Sequence, residues 1–508
     1  MNLSRKVAVN TVLLTGSRAL VAASGLVGVL VSTRYLGRDD FGKLTVAIVF
    51  ASLFGFLTDS GLWLVAAREI ARKPESEDHI ASNIFTIGLL LSAATVTLSL
   101  GVMFIAYGSD QHLIREAILI LSIQMLFTAP AGTSGSLMTA HQQAVPIAVA
   151  GAVSSAVFIV CLTLVVTLGL GFAGVAATFT IGGVASALTP AFFVLRHRRI
   201  RLSYDHDLWH RLVRSTLPQS GVLVINLVYF RIDLILLSLL KAPSDAAIYG
   251  IAYKVVEVLI LVPVFLMQTL FPEIARAPRH SQRLAELVEG SFSTIIVMLI
   301  PVLVIFVSFA PEAIWIAGGP AFSQATPVLQ LVTVALALSF MNAVFFTALV
   351  ALNEQRRLFT LLIGVLATNV ILNLALIPPL GARGAGGALI ASEVVLLILG
   401  RRLYRSAGEL PRTERPARLA TAAAAAAAAA LGVRGFDLPA QGAVHTGILF
   451  GSHVSPILTF AIGAPVTVIV FLLVLHAVDG VPRSVRLALA NLRQRPSEPS
   501  SPPEPVSS

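Results

Sequence analysis

Glu69-Ile70-Ala71-Arg72 and Glu273-Ile274-Ala275-Arg276 are one tetrapeptide written twice, 204 residues apart, and each closes a long apolar run. Near the start of the same two runs, Phe41-Gly42 has its counterpart in Tyr249-Gly250, at an offset of 208. The two offsets differ by about one helical turn. A four-residue identity alone carries little weight in a chain of 508 residues. Two matches at the same places in a two-helix unit mark an internal repeat.

Working outward from the copies, the chain holds fourteen apolar runs, at about 9–33, 44–66, 80–107, 117–138, 145–168, 172–195, 217–240, 247–271, 291–310, 327–350, 358–378, 385–400, 417–433 and 455–477. Each approaches or exceeds the roughly 17–25 helical residues that cross a hydrocarbon layer about 30 Å thick. Composition agrees: 56% of residues are hydrophobic and 12% charged, against about 25% charged in soluble domains. Cys161 is the single cysteine, which excludes a disulfide-built secreted domain, and the apolar content excludes a disordered chain. The first run follows Arg5 and Lys6, but Arg18 interrupts it and it outlasts a signal-peptide core, so it reads as a retained span. The thirteenth contains the unbroken tract Ala422 to Ala430, strong in helix propensity and weak in hydrophobicity.

The net charge of +10 is explained by where the charges sit, not by a nucleic-acid partner. With the N-terminus inside, alternate connections place 26 Lys and Arg on the inner side, 7 on the outer side and 3 within spans. That bias predicts both termini inside. Six crossings separate the copies, an even number, so the copies share one orientation about an axis along the membrane normal. The expected fold is an all-α polytopic membrane protein of about fourteen transmembrane helices. A six-helix lobe spans 1–200, a second spans 201–410, two accessory helices lie in 411–480, and the Pro- and Ser-rich stretch 481–508 is expected to be a disordered cytoplasmic tail. The basic segment 196–216 links the lobes, with Trp209 as an expected aromatic anchor at the interface.

Tyr35-Leu36-Gly37-Arg38-Asp39-Asp40-Phe41-Gly42, Asp59-Ser60-Gly61-Leu62 and Arg68-Glu69-Ile70-Ala71-Arg72 resemble the opening two helices of the bacterial polysaccharide transporter family. This is the O-antigen and exopolysaccharide flippase branch of the multidrug/oligosaccharidyl-lipid/polysaccharide exporter superfamily. Pro218, Arg231-Ile232-Asp233, Ile248-Tyr249-Gly250-Ile251-Ala252-Tyr253 and Phe271-Pro272-Glu273 carry the likeness into the second copy, so that it covers residues 10–480. The resemblance implies translocation of an undecaprenyl-diphosphate-linked oligosaccharide from the inner to the outer leaflet of the cytoplasmic membrane. It implies membrane lipids, glycosyltransferases and a polymerase of the same pathway as partners, and a transporter rather than an enzyme.

A sugar chain on a lipid diphosphate cannot cross hydrocarbon, where each unsatisfied polar group costs several kcal/mol. A wet cavity removes that penalty, and a sideways opening lets the prenyl tail stay in lipid. Ionisable residues inside spans, expensive elsewhere, are the ones expected to line it. They are Arg18 and Asp59 in the first lobe, and Arg231, Asp233, Lys254, Glu257 and Glu393 in the second. Arg18 lies about 14 Å from the inner edge at 1.5 Å per residue, too deep for easy snorkelling. A guanidinium suits phosphate oxygens bidentately, so Arg18, Arg231 and Lys254 are the expected substrate-binding residues; a structural pair of Arg18 with Asp59 is the competing reading. Arg231 and Asp233, two apart, point to different helix faces, whereas Lys254 and Glu257 share one and can neutralise each other. Asp59, Asp233, Glu257 and Glu393 are the ion-coupling candidates, because a carboxylate in hydrocarbon needs a proton or cation to neutralise it. A proton or sodium gradient is the expected energy source, with no metal and no other cofactor. The uncharged polar residues within spans, Gln124, Gln219, Gln268, Asn342, Asn369 and Asn373, read as interhelix hydrogen bonders, with binding of sugar hydroxyls as the competing reading.

No GxxxxGK[ST], HExxH, paired CxxC or GxSxG motif occurs. A membrane polymerase or ligase would need a catalytic outer loop, and the longest outer connection, about 434–454, offers too few polar groups. A lipid II flippase or a multidrug exporter of the same superfamily remains the alternative among transporters, and a scaffold without transport would have no use for Arg18 or Arg231.

Overall fold

The computed structural model describes residues 3–59, 61–196, 198, 200–411, 416–435 and 454–481, all helix, turn or connection with no strand among them. Most of 434–454, the expected tail from residue 482, Arg199, Arg412, Arg415 and the side chain of Asp59 lie outside the described residues. The helices are α1 (Leu3–Asp59), α2 (Leu62–Arg72), α3 (Glu77–Ala106), α4 (His112–Ser122), α5 (Thr128–Ala140), α6 (Ala144–Leu168), α7 (Gly171–Leu195), α8 (His206–Leu240) and α9 (Pro243–Glu257). They continue as α10 (Leu261–Arg276), α11 (Gln282–Ser308), α12 (Ala310–Gly318), α13 (Thr326–Ala351), α14 (Gln355–Leu380), α15 (Ala382–Arg405), α16 (Pro416–Gly435) and α17 (Val454–Ala477).

Apolar runs become helices because hydrocarbon offers no partner to an open backbone. Twelve described segments are long and apolar enough to cross a membrane. One of them, Gly16–Arg72, carries both the first and second expected spans, and the seventh falls in α8, so the count is compatible with about fourteen crossings. Within α1 the two spans part at Gly37, whose φ of 75° lies in the left-handed region that only glycine enters without cost. Three crossings that read as continuous are interrupted. The second breaks at Gly61 (φ 81°), the fourth at the 3-10 turn Ile123–Phe127, and the eighth at Val258–Ile260. The repeated tetrapeptide makes the same local structure twice: Glu69 lies 3.8 Å from Arg72 and Glu273 3.3 Å from Arg276, with Ile70 and Ile274 buried between them.

The chain divides into two compact units, one of residues 1–258, 313–335 and 359–395, the other of 259–312, 336–358 and 396–508. In the first unit, the Gly37 end of α1 packs on elements of the second repeat. Thr33 Oγ1 donates to the Ala317 carbonyl at 3.1 Å and Arg34 Nη2 to the Ile316 carbonyl at 2.9 Å, so a hydroxyl and a cation cap the C-terminus of α12. Gly42 has the Pro243 carbonyl against the place a Cβ would take, and Gly250 has Thr45 against its own. At these paired glycines of the repeat α1 and α9 pack too closely for a side chain.

In the same unit the connection 200–205 is strapped onto α3. The amides of Arg201, Ser203 and Asp205 donate to Ser82 Oγ (3.3 Å), Thr86 Oγ1 (3.0 Å) and Asn83 Oδ1 (2.8 Å). Asn83, fully buried, also accepts from Trp209 Nε1 at 2.9 Å and donates to Ser203 Oγ at 3.2 Å. Trp209, expected as an interfacial anchor, thus spends its indole N–H inward. Asp205 caps α8 through the amides of Asp207 and Leu208 and meets His79 Nε2 at 2.9 Å. The hydrogen bond from His79 and those amides hold the Asp205 carboxyl below its ordinary pKa, so the contribution it makes to the strap is full above the ordinary carboxylate range and fades as pH falls through its own lowered value. Asn83→Ala orphans three of these partners, each at a cost of about 1–3 kcal/mol when buried. Amide-exchange protection at Ser203 and Asp205 is expected to drop sharply in that variant, while protection in α6 is unchanged.

In the second unit, the alanine tract forms α16. Ala422, Ala426 and Ala430 are fully buried at i, i+4 and i+8, where small side chains let Phe471 and Leu475 of α17 and Val297 of α11 pack with the first two, and Ile305 of α11 and Phe309 with the third. Phe309 occupies the space above Gly463 of α17.

Candidate functional site

Charged side chains of α8 and α9 meet where the eighth crossing breaks. Arg231 Nη2 donates to Glu257 Oε1 at 2.7 Å, and Lys254 Nζ donates to Glu257 Oε2 at 2.6 Å. Arg231 also lies 5.7 Å from the Tyr253 ring centroid, a cation–π distance. Glu257 is the last residue of α9, immediately before the 3-10 turn. The triad carries two cations and one carboxylate, a net charge of +1. Its side chains are 20% (Arg231), 37% (Lys254) and 30% (Glu257) exposed. Charge that stays partly exposed inside membrane-spanning helices requires water or a polar ligand at that surface, because hydrocarbon would not tolerate it.

Asp233, on another face of α8, is 1% exposed. Its Oδ2 accepts from the Tyr249 hydroxyl at 2.9 Å and its Oδ1 from Asn373 Nδ2 at 2.7 Å. The same Asn373 amide reaches the Asn369 carbonyl at 2.9 Å and Asn369 Oδ1 at 3.0 Å. Both asparagines are fully buried on α14, and Asn373 Oδ1 has no hydrogen-bond partner among the described residues. Glu393 of α15, also 1% exposed, accepts from the Tyr229 hydroxyl at 3.1 Å. One helix turn of α8 therefore presents Arg231 on a partly exposed cationic face and Asp233 on a buried one, where Asp233 and Glu393 of α15 are held by tyrosine and asparagine. A carboxylate with amide and carbonyl oxygens is a hard-oxygen set, suited to a small cation or a proton and not to a thiophilic metal.

Arg18 is exposed on α1. Arg18, Ala22, Gly25, Val29 and Thr33 fall on one helical face. Along it, Arg18 and Gly25 are exposed, whereas Val29 and Thr33 are 7% and 2% exposed, the latter bonded to Ala317. The face is open at the arginine and closed toward Gly37. Of the residues singled out from the sequence, Arg231, Lys254 and Glu257 come together, Asp233 and Glu393 lie behind them, and Arg18 stands on a separate helix. Tyr229, Tyr249, Asn369 and Asn373 complete the site. The signal for the asparagines was their i, i+4 spacing on an otherwise apolar helix; Tyr249 was marked by the repeated aromatic-glycine pair, and Tyr229 carried no signal beyond its polarity.

The model of the polysaccharide biosynthesis protein family matches residues 7–278, more than half of the chain. The chain belongs to this family. Probable flippase AglR of Haloferax volcanii is similar at 27% identity over 188 residues, which is 36% of this chain. The match spans 40% of that relative's length. Among solved structures, lipid II flippase MurJ in an inward closed conformation superposes with a TM-score of 0.72 at 14% identity, covering 95% of this chain and all of that one. An inward-facing MATE family multidrug resistance transporter of the MOP superfamily gives 0.62 at 16% identity, over 78% of this chain and 94% of the other. At such identities the likeness is one of fold. This member of the polysaccharide biosynthesis family is a multi-pass membrane protein with the MOP-superfamily fold.

Proposed function

We propose that this protein is a flippase that moves a prenyl-diphosphate-linked oligosaccharide from the inner to the outer leaflet of the cytoplasmic membrane, for surface polysaccharide synthesis. The observation that carries the reading is the partly exposed, net-positive triad Arg231–Glu257–Lys254 inside membrane-spanning helices. A diphosphate or acidic sugar supplies the charge that such a surface lacks, and Arg231 and Arg18 supply forked donors for its oxygens. Family membership and the flippase relative support the substrate class. The face of α1, open at Arg18 and packed at Thr33, suits a passage with one mouth closed. Termini on the inner side follow from the distribution of Lys and Arg. Glycosyltransferases and a polymerase of the pathway are the expected partners.

The carboxylate cluster behind the triad is proposed to couple transport to a proton or sodium gradient, with Asp233 as its centre, Glu393 beside it, and Glu257 linking it to the substrate face. Asp59 keeps a place among the coupling candidates on sequence grounds alone. Purified protein in liposomes is expected to flip a fluorescent prenyl-diphosphate oligosaccharide and to leave a cationic drug where it is. Drug transport without lipid flipping would favour the multidrug reading, and neither activity would favour a scaffold. Arg18→Ala is expected to cut flipping about tenfold or more, since hydrogen bonds to charged groups contribute about 1.5–3 kcal/mol. Surface glycan measured in cells at equal protein level checks that result.

A further inference from the structure

The connection between α7 and α8 holds more positive charge than its internal bonding uses. Arg198 is consumed by Glu77 (3.1 Å) and Asp78 (3.0 Å). Arg201, Arg211 and Arg214 are exposed and form no ion pair among the described residues. The acids closest in sequence are engaged elsewhere, Asp205 with His79 and Asp207 with His206 at 3.4 Å.

The strap on α3 also sets which side chains face out. Amides 201, 203 and 205 turn toward α3, and the Ser203 and Asp205 side chains follow them inward. In an extended segment the alternate residues then point away. Leu202 and Tyr204 are 69% and 67% exposed, and the Tyr204 ring rests edge-on against Trp209 at 4.8 Å. In the first turns of α8, Leu208 and Leu212 dock into the core with Val65, Ile80 and Leu137, which leaves Arg214 on the far side and Arg211 at the edge of that buried face, both exposed. Two large apolar side chains are thus held outward by hydrogen-bonded register, between arginines that form no ion pair among the described residues.

We propose that residues 201–214 form a binding element for anionic phospholipid headgroups of the cytoplasmic leaflet, with Leu202 and Tyr204 as the apolar wedge and Arg201, Arg211 and Arg214 as the phosphate-binding groups. Fixed apolar side chains interleaved with cations fit a surface that is hydrocarbon below and anionic above. Free phosphate or nucleic acid would satisfy the arginines and leave Leu202 and Tyr204 in water. Tyrosine at headgroup depth and arginine on lipid phosphate are the usual interfacial pairing, and each basic residue near an anionic leaflet strengthens binding roughly fivefold. Placement on the cytoplasmic side rests on the inner-terminus reading above.

The test uses the full-length chain in liposomes of phosphatidylcholine with or without phosphatidylglycerol. Spin-labelled versions of the two lipids report which is held at the protein surface. The expected result is selectivity for phosphatidylglycerol that falls about fivefold or more in Arg201→Gln/Arg211→Gln/Arg214→Gln and weakens with salt. A fluorophore on Leu202→Cys in a Cys161→Ala background is expected to be quenched by shallow-depth lipid quenchers. Equal association of both lipids in wild type and triple variant, or a fluorophore quenched only by aqueous iodide, overturns the proposal. Labelling of Leu202→Cys in intact cells by a membrane-impermeant maleimide overturns the leaflet assignment instead, and thereby separates an error of sidedness from an error about lipid.

Discussion

Arg231→Ala is expected to reduce flipping of a prenyl-diphosphate oligosaccharide by tenfold or more in liposomes, with a melting temperature close to that of the wild type. The expectation follows from how the triad is wired. Glu257 bonds Arg231 through one oxygen and Lys254 through the other. Removing Arg231 leaves Glu257 and Lys254 paired, so no isolated charge is created, and the surface drops from a net +1 to neutral. What is lost is a fork of donors for phosphate. A hydrogen bond to a charged group contributes about 1.5–3 kcal/mol, or roughly ten- to hundredfold in affinity. Lys254→Ala leaves Arg231–Glu257 and removes a point charge, for which a smaller loss is expected. Glu257→Gln acts oppositely: the surface rises to +2 and two cations lose their shared carboxylate. Binding of the lipid diphosphate is then expected to hold or tighten, while thermal stability falls and release slows. Full glycan export by Arg231→Ala, with binding unchanged, would remove the triad from the substrate path.

The repeat, the apolar runs and the sorting of Lys and Arg made the fold class legible in the sequence, because a membrane imposes length, polarity and charge rules on every crossing. The breaks at Gly61, Ile123–Phe127 and Val258–Ile260 were not legible. Hydropathy is blind to a turn of 3-10 helix within an apolar run, and only the glycine at 61 left a mark. The same distinction holds at the site. Lys254 and Glu257 are joined by spacing on one helix, which the sequence carries, whereas Arg231 reaches Glu257 across from another helix, which depends on how α8 and α9 pack. The split between Arg231 and Asp233 was readable from two-residue spacing. That Asp233 meets Tyr249 and Asn373, from two further helices, was not. The fully buried Ala422, Ala426 and Ala430 supply a packing reason for an alanine tract that hydropathy alone scores weakly.

Asp233→Asn is expected to uncouple flipping from an imposed ion gradient while leaving the protein folded. Asp233 is 1% exposed and forms no ion pair among the described residues; its oxygens are held by Tyr249 and Asn373. A carboxylate in such a place is tolerated when a proton or a cation neutralises it, since an isolated buried charge is prohibitively expensive. Asn373 Oδ1, without a hydrogen-bond partner among the described residues, and Asn369 Oδ1 are the oxygens that would join Asp233 around a sodium ion. Asparagine at 233 keeps an acceptor for one neighbour and abolishes the charge, so gradient-driven flipping is expected to fall to the rate without a gradient. Asp233→Ala orphans the Tyr249 hydroxyl, at a cost of about 1–3 kcal/mol, takes one of its acceptors from the Asn373 amide, and confounds coupling with stability. Asn369→Leu separates the two ions. If sodium is bound, its stabilisation of the melting temperature disappears in Asn369→Leu as well as in Asp233→Asn; if a proton is carried, the leucine variant keeps its response to pH. Wild-type flipping that ignores both gradients, or an Asp233→Asn variant that responds as the wild type does, would leave the buried carboxylate a structural group and place the driving force elsewhere.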